Sequence, residues 1–208
     1  DHKIIKSLKS IKKKLIIKNN KYYFVNSFIS PYIIKKKPIF NNKILITFGT
    51  GRVKSKLMVF FKYLKKIDQK IHKKLFIDIT NQLNNNHLKI ISSLNNIKIK
   101  KINDKEYFKN INNYSFSINA AGVTCIELLY LQIPQIVFLF SDNQKTNFNY
   151  LKKINNKNVM LVGNLKIQNF HIFCKFFILM LNRIRIHSYK KIKDNDILFA
   201  DNLPLIHY

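Results

Sequence analysis

Three stretches of this sequence hold residues whose types and spacing suit ligand chemistry. The first is "TFGTGR" (47–52), in which Gly49, Thr50 and Gly51 follow an apolar run. Glycines there let backbone N–H groups approach an anion, and a helix starting just beyond adds its positive end. A glycine in a tight turn also has a purely steric use, and the stretch matches neither GxGxxG nor a P-loop. The second is "INAAGVTCIE" (118–127), with Ala120, Ala121 and Gly122 in a row in a chain that has four glycines. This turn leaves no bulk between a strand and a helix, so the helix N-terminus could hold a diphosphate while Glu127 accepts from vicinal ribose hydroxyls. Thr124 and Glu127 equally fit a capping box, in which both serve only the helix start. The third is "SDNQ" (141–144), where Ser141, Asp142 and Asn143 are all good N-caps and the amides of Asn143 and Gln144 could read sugar hydroxyls or an N-acetyl group.

Alternating strands and helices position these residues. "KILITF" (43–48), "KLFIDIT" (74–80), "NIKIKKI" (96–102), "YSFSINA" (114–120), "PQIVFLF" (134–140) and "NVMLVG" (158–163) read as six strands. Between and after them lie helical patterns at 53–67, 86–94, 105–111, about 122–131, 144–154 and 168–183. Strands separated by helices imply right-handed crossovers and a parallel sheet covered on both faces, hence a Rossmann-like α/β domain. In such a sheet ligands bind beyond the carboxyl ends of the strands, where all three stretches fall. The domain is expected over 41–187. Residues 1–26 read as a Lys-rich remnant of another domain ending in a strand, "KYYFVN", and 27–40, with Pro31 and Pro38, as an interdomain linker. Residues 188–208 read as a tail or the start of a further segment.

The formal net charge of +28 would ordinarily suggest a polyanion partner. All of the 38 basic residues except Arg52, Arg183 and Arg185 are lysines, however, and they are spread along the chain among Asn and Ile. That pattern reads as A/T-rich codon usage, and nucleic-acid readers favour the planar fork of Arg. Nucleic acid is therefore discounted as a partner, while a weak general attraction to anionic ligands or a membrane surface remains. No apolar run reaches the length of a membrane span; the densest, "FHIFCKFFILML" (170–181), is short and carries Lys175. Cys125 and Cys174 stand far apart with no metal-ligand spacing, which predicts no bound metal and fits a reducing cytoplasm. No cofactor is expected. The start at Asp1, which does not resemble a signal peptide, leads us to expect lost upstream sequence.

The order of motifs, a strand with a Gly-x-Gly turn and then "INAAGVTCIELLYLQIPQIVFLFSDNQ", resembles the C-terminal half of GT-B-type nucleotide-sugar proteins. It is similar to the UDP-sugar hydrolases of pseudaminic acid biosynthesis, which cleave UDP-2,4-diacetamido-2,4,6-trideoxy-β-L-altropyranose. Their pattern runs AAG-S/T-T-x-x-E, then Leu-Gly-x-Pro, then a strand ending in Asp-Asn-Gln. The likeness covers about residues 27–165, the linker included, and 118–144 is its specific part. It implies that Gly49, Thr50, Gly51, Ala121, Gly122, Val123 and Thr124 line the diphosphate through backbone groups. It further implies that Glu127 holds the ribose, Ile102 contacts the uracil, and Asn143 and Gln144 face the sugar, Asn143 helping to position the attacking water. Three departures stand out: Gly-Thr-Gly replaces a Gly-Gly pair, Leu131-Gln132-Ile133-Pro134 replaces Leu-Gly-x-Pro, and the N-terminal domain with the catalytic histidine is nearly absent. His72, His87 and His171 are read as ordinary histidines and not as that base. The chain alone is thus expected to bind UDP and turn over little. A MurG-like glycosyltransferase using a UDP-sugar, a basic nucleic-acid or membrane-surface module, and a non-functional remnant are the competing readings.

Overall fold

The computed structural model describes residues 13–18, 21–26, 42–49, 54–166 and 169–186. The linker, the tail, and Thr50 and Gly51 of the first turn lie outside the described residues. Near the start, β1 (Lys13–Lys18) and β2 (Lys21–Asn26) pair antiparallel from Lys13↔Asn26 to Lys18↔Lys21. The sequence had suggested β2 alone, because lysines flank the short apolar core of β1 on both sides.

Six further strands form one parallel sheet: β3 (Lys43–Thr47), β4 (Leu75–Ile79), β5 (Ile97–Lys101), β6 (Phe116–Ala120), β7 (Gln135–Leu139) and β8 (Val159–Asn164). Their spatial order is β5-β4-β3-β6-β7-β8. The chain therefore steps outward in one direction from β3 and in the other from β6, the arrangement of a Rossmann-like fold. Every residue of central β6 is buried, which is why it reads as an unbroken run rather than an alternating one.

Six helices cover the sheet: α1 (Lys54–Asp68), α2 (Asn85–Ser92), α3 (Asp104–Asn110), α4 (Val123–Tyr130), α5 (Lys145–Ile154) and α6 (Phe170–Ile186). One face packs Ile44, Ile46, Phe48, Phe116, Ile118, Ile136 and Phe138 against Leu57, Phe60, Phe61 and Leu64 of α1 and Phe173, Phe177 and Met180 of α6. The opposite face packs Leu45 against Tyr107 of α3 and Leu128 of α4, and Val137 against Cys125 of α4 and Leu151 of α5. Edge-to-face rings, Phe48 with Phe60 at 4.9 Å and Phe116 with Phe177 at 5.7 Å, fix the first of these layers. Each fully buried Phe there contributes about 1.5–3 kcal/mol over an exposed one. No helix among the described residues is long and apolar enough to cross a membrane.

Four described positions have the positive φ that favours glycine: Gly49, Gln132, Asn155 and Gly163. Gly163 (φ 86) sits at the irregularity where β8 shifts register against β7, opposite Phe138. Gln132, just after α4, has φ 61 without being a glycine. It stands where the resembled pattern has glycine, so the backbone there keeps a glycine conformation under a side chain that resists it. Gln132→Gly is expected to stabilise the protein by about 0.5–1 kcal/mol, the left-handed strain relieved less the entropy glycine adds to the unfolded chain. Chemical denaturation would show a higher midpoint at unchanged slope; an unchanged or lower midpoint would refute it.

Candidate functional site

The strand order reverses between β3 and β6, whose pairing ends at Thr47↔Asn119. The two glycine-bearing turns of the sequence therefore leave the sheet side by side. On the β3 side Gly49 is exposed and has φ 75, a conformation open to glycine and costly for other residues. Asn81, from the loop after β4, grips this turn with both ends of its amide. Its Oδ1 accepts from the Phe48 N–H at 2.9 Å and its Nδ2 donates to the Gly49 carbonyl at 2.7 Å.

On the β6 side the capping box expected of Thr124 and Glu127 does not form. Gly122 is the N-cap of α4, in an extended conformation (φ −88, ψ −166) without a side-chain cap, so Thr124 already lies inside the helix. Capping boxes form instead at Asn84 with His87 and at Asn103 with Glu106. The Ala121 N–H donates to Phe138 O at 2.9 Å and its carbonyl accepts from Asn147 Nδ2 at 3.2 Å. Ala121 is buried as well, so it shapes the turn from behind. The Gly122 carbonyl is also held inward, by the Cys125 N–H at 3.3 Å and its thiol at 2.9 Å. Burial pushes the Cys125 thiol well above its ordinary value, with the nearby Glu127 charge adding to the effect, so it stays a donor. The N–H groups of Gly122, Val123 and Thr124 have no acceptor among the described residues. A β-carbon built at Gly122 would meet no atom within 4 Å. Among the described residues, packing thus gives no steric need for glycine here.

The remaining predicted residues surround this turn in different ways. Glu127 is half-buried on α4, within electrostatic reach of Tyr107 on α3, whose hydroxyl is pushed up chiefly by burial. The Tyr107 hydroxyl and Asn119 Oδ1 are buried without a hydrogen-bond partner among the described residues, while Asn119 Nδ2 donates to Gln135 Oε1 at 2.6 Å. Ile102 follows β5 but packs its side chain with Leu45, Tyr107 and Leu128, so what it can offer a ligand is its backbone carbonyl. Asn143 and Gln144 lie in a one-turn 3-10 helix (Asp142–Gln144) at the end of β7. Ser141 caps this helix by backbone position only; its hydroxyl donates to Asn143 Oδ1 at 2.5 Å. Gln144 Oε1 accepts from the Phe140 N–H at 3.0 Å. Both amides thus use their carbonyl ends inside the loop, which leaves NH₂ donors suited to a hydroxyl or acetamido oxygen.

Lys56, in the first turn of α1, was not picked out from the sequence. Its Nζ sits 5.6 Å from the ring of Phe140, which lies tilted against Phe48 at 4.5 Å, so a cation stands at the same rim. His87 is spent on structure: its Nδ1 accepts from the Asn84 N–H and its ring lies against Phe61. His72 and His171 are exposed. Among the described residues no group of three or more His, Cys, Asp and Glu is placed to hold a metal ion. No protein-family model matches the chain, and no curated protein sequence matches it. The six-stranded parallel sheet flanked by helices is a Rossmann-like α/β topology, consistent with the binding of a nucleotide or nucleotide-sugar.

Proposed function

We propose that this chain holds the UDP group of a UDP-sugar, as the C-terminal domain of a GT-B-type hydrolase acting on a diacetamido-trideoxy-hexose. The observation that carries the reading is the β6–α4 turn. Three N–H groups there lack acceptors among the described residues, and the glycine beside them meets no contact there that would require it. A helix N-terminus so arranged suits a diphosphate, whose charge meets both the amides and the positive end of the dipole. Lys56 adds positive charge at the rim, and Glu127 offers two acceptor oxygens for vicinal hydroxyls. The NH₂ ends of Asn143 and Gln144 suit acetamido carbonyls on the sugar. Water as the acceptor, in preference to a second sugar, rests on the resemblance through "SDNQ". In that chemistry the cradle stabilises the negative charge that gathers on the departing UDP.

Isothermal calorimetry on the full chain tests the reading. UDP is expected to bind one to one and at least about tenfold more tightly than uridine, since the diphosphate brings charge-assisted hydrogen bonds. A short DNA duplex measured at two salt concentrations is the contrast. Absence of UDP binding, together with duplex binding that falls steeply with salt, would replace this reading with a polyanion-binding one.

A further inference from the structure

The turns at the switch point share a pattern that the fold alone does not demand. Three carbonyls of these turns are held by donors from within the protein. Asn81 takes the Gly49 carbonyl, Asn147 takes that of Ala121, and Cys125 takes that of Gly122. In a trans peptide the C=O and N–H point in opposite directions, so holding the carbonyl aims the N–H. Asn147 therefore sets the direction of the Gly122 N–H, and Cys125 that of Val123. Asn81 ties back the Gly49 carbonyl and also holds the Phe48 N–H. Both asparagines are buried and reach the turns across long sequence separations from different elements, α5 and the loop after β4.

The geometry points to Asn81 and Asn147 as positioning residues for an anion: they withhold the Gly49 and Ala121 carbonyls, and Asn147 thereby presents the Gly122 amide. The inference rests on the diphosphate reading above and assigns what orients that site. A fixed orientation matters because an unpinned peptide could rotate its carbonyl toward the phosphate, exchanging an attraction for a repulsion of like size. Asn119 Oδ1, one residue before the Ala120–Gly122 turn, is fully buried and has no hydrogen-bond partner among the described residues.

The test titrates inorganic pyrophosphate, UDP and uridine into the full-length wild type and into Asn81→Ala, Asn147→Leu and Asn147→Ser. Amide NMR reports on the Gly122 and Val123 protons. Pyrophosphate and UDP affinities are expected to fall about tenfold in Asn81→Ala and Asn147→Leu, the worth of one charge-assisted hydrogen bond, and less in Asn147→Ser, which retains a hydroxyl donor. Uridine affinity should stay within about twofold, and the pyrophosphate-induced shift of the Gly122 amide should shrink in the Asn147 variants. Wild-type pyrophosphate and UDP affinities in all three variants would overturn the proposal, as would an equal loss for UDP and uridine. If the wild type binds pyrophosphate as tightly as UDP, the nucleotide reading falls, while anion loss in the variants still upholds the positioning role. If the wild type takes up neither anion, both fall. Should Asn147→Leu not fold, Asn147→Ser and Asn81→Ala carry the same comparison.

Discussion

Gly122→Asp is expected to fold at least as stably as the wild type and to lose UDP binding by about a hundredfold or more. The two halves of this result have the same cause. Gly122 sits at the N-cap in an extended conformation that aspartate adopts readily, and no atom lies within 4 Å of the new β-carbon. The carboxylate would accept from the first-turn N–H groups, which now lack acceptors among the described residues. Capping and the helix dipole together contribute from a few tenths to about 1 kcal/mol of stability. Those same amides are the ones proposed to take the diphosphate, and the new negative charge would stand in its place. Losing two hydrogen bonds to a charged group costs about 3 kcal/mol, and repulsion adds to that. Thermal melting and calorimetry on one preparation decide the matter. A variant that melts higher yet still binds UDP within about threefold of wild type would show that the amides are not the site. A variant that melts markedly lower would show that glycine serves the fold after all.

The strands could be read from the sequence because both faces of a parallel sheet are buried. "KILIT", "FSINA" and "QIVFL" therefore stand out as apolar runs against the Lys and Asn of the surface. The 3.6-residue spacing of Leu57, Phe60, Phe61 and Leu64 likewise marked α1. What escaped notice depends on tertiary contact or on a single dihedral pair. Thr124 and Glu127 have capping-box spacing, but the extended backbone of Gly122 starts the helix two residues earlier. Asn81 and Asn147 are the residues that shape the two turns, yet in a chain rich in asparagine neither contrasts with its surroundings. Their partners lie about thirty residues away, beyond any local pattern. Asp68 could have been noticed. An acid ending a helix whose last turn also holds Lys65 and Lys66 opposes the dipole, so it needs another source of stabilisation.

That source makes Asp68→Ala the largest stability loss we expect outside the aromatic core. Asp68 is buried at the end of α1, and its two oxygens accept three backbone N–H groups at 2.8 Å, from Asn95, Asn96 and Ile97. Asn96 returns bonds to the carbonyls of Asp68 and Ile71. The carboxylate thus ties the end of α1 to the loop that leads into β5 and sets where that edge strand begins. Hydrogen bonds to a charged group contribute about 1.5–3 kcal/mol each, though three sharing one carboxylate do not add fully. Removing it strands three donors, the Ile97 N–H in a buried setting, and is expected to cost about 3–4 kcal/mol. In a domain of this size that lowers the melting temperature by roughly 10 °C. Asp68→Asn should recover little, because its NH₂ end would face an N–H. The change lies at the amino edge of the sheet, away from the switch point, so at a temperature where the variant is folded UDP affinity should match the wild type. A melting temperature lowered by less than about 2 °C would mean that the loop holds itself in place, and that the carboxylate merely occupies donors water could satisfy as well.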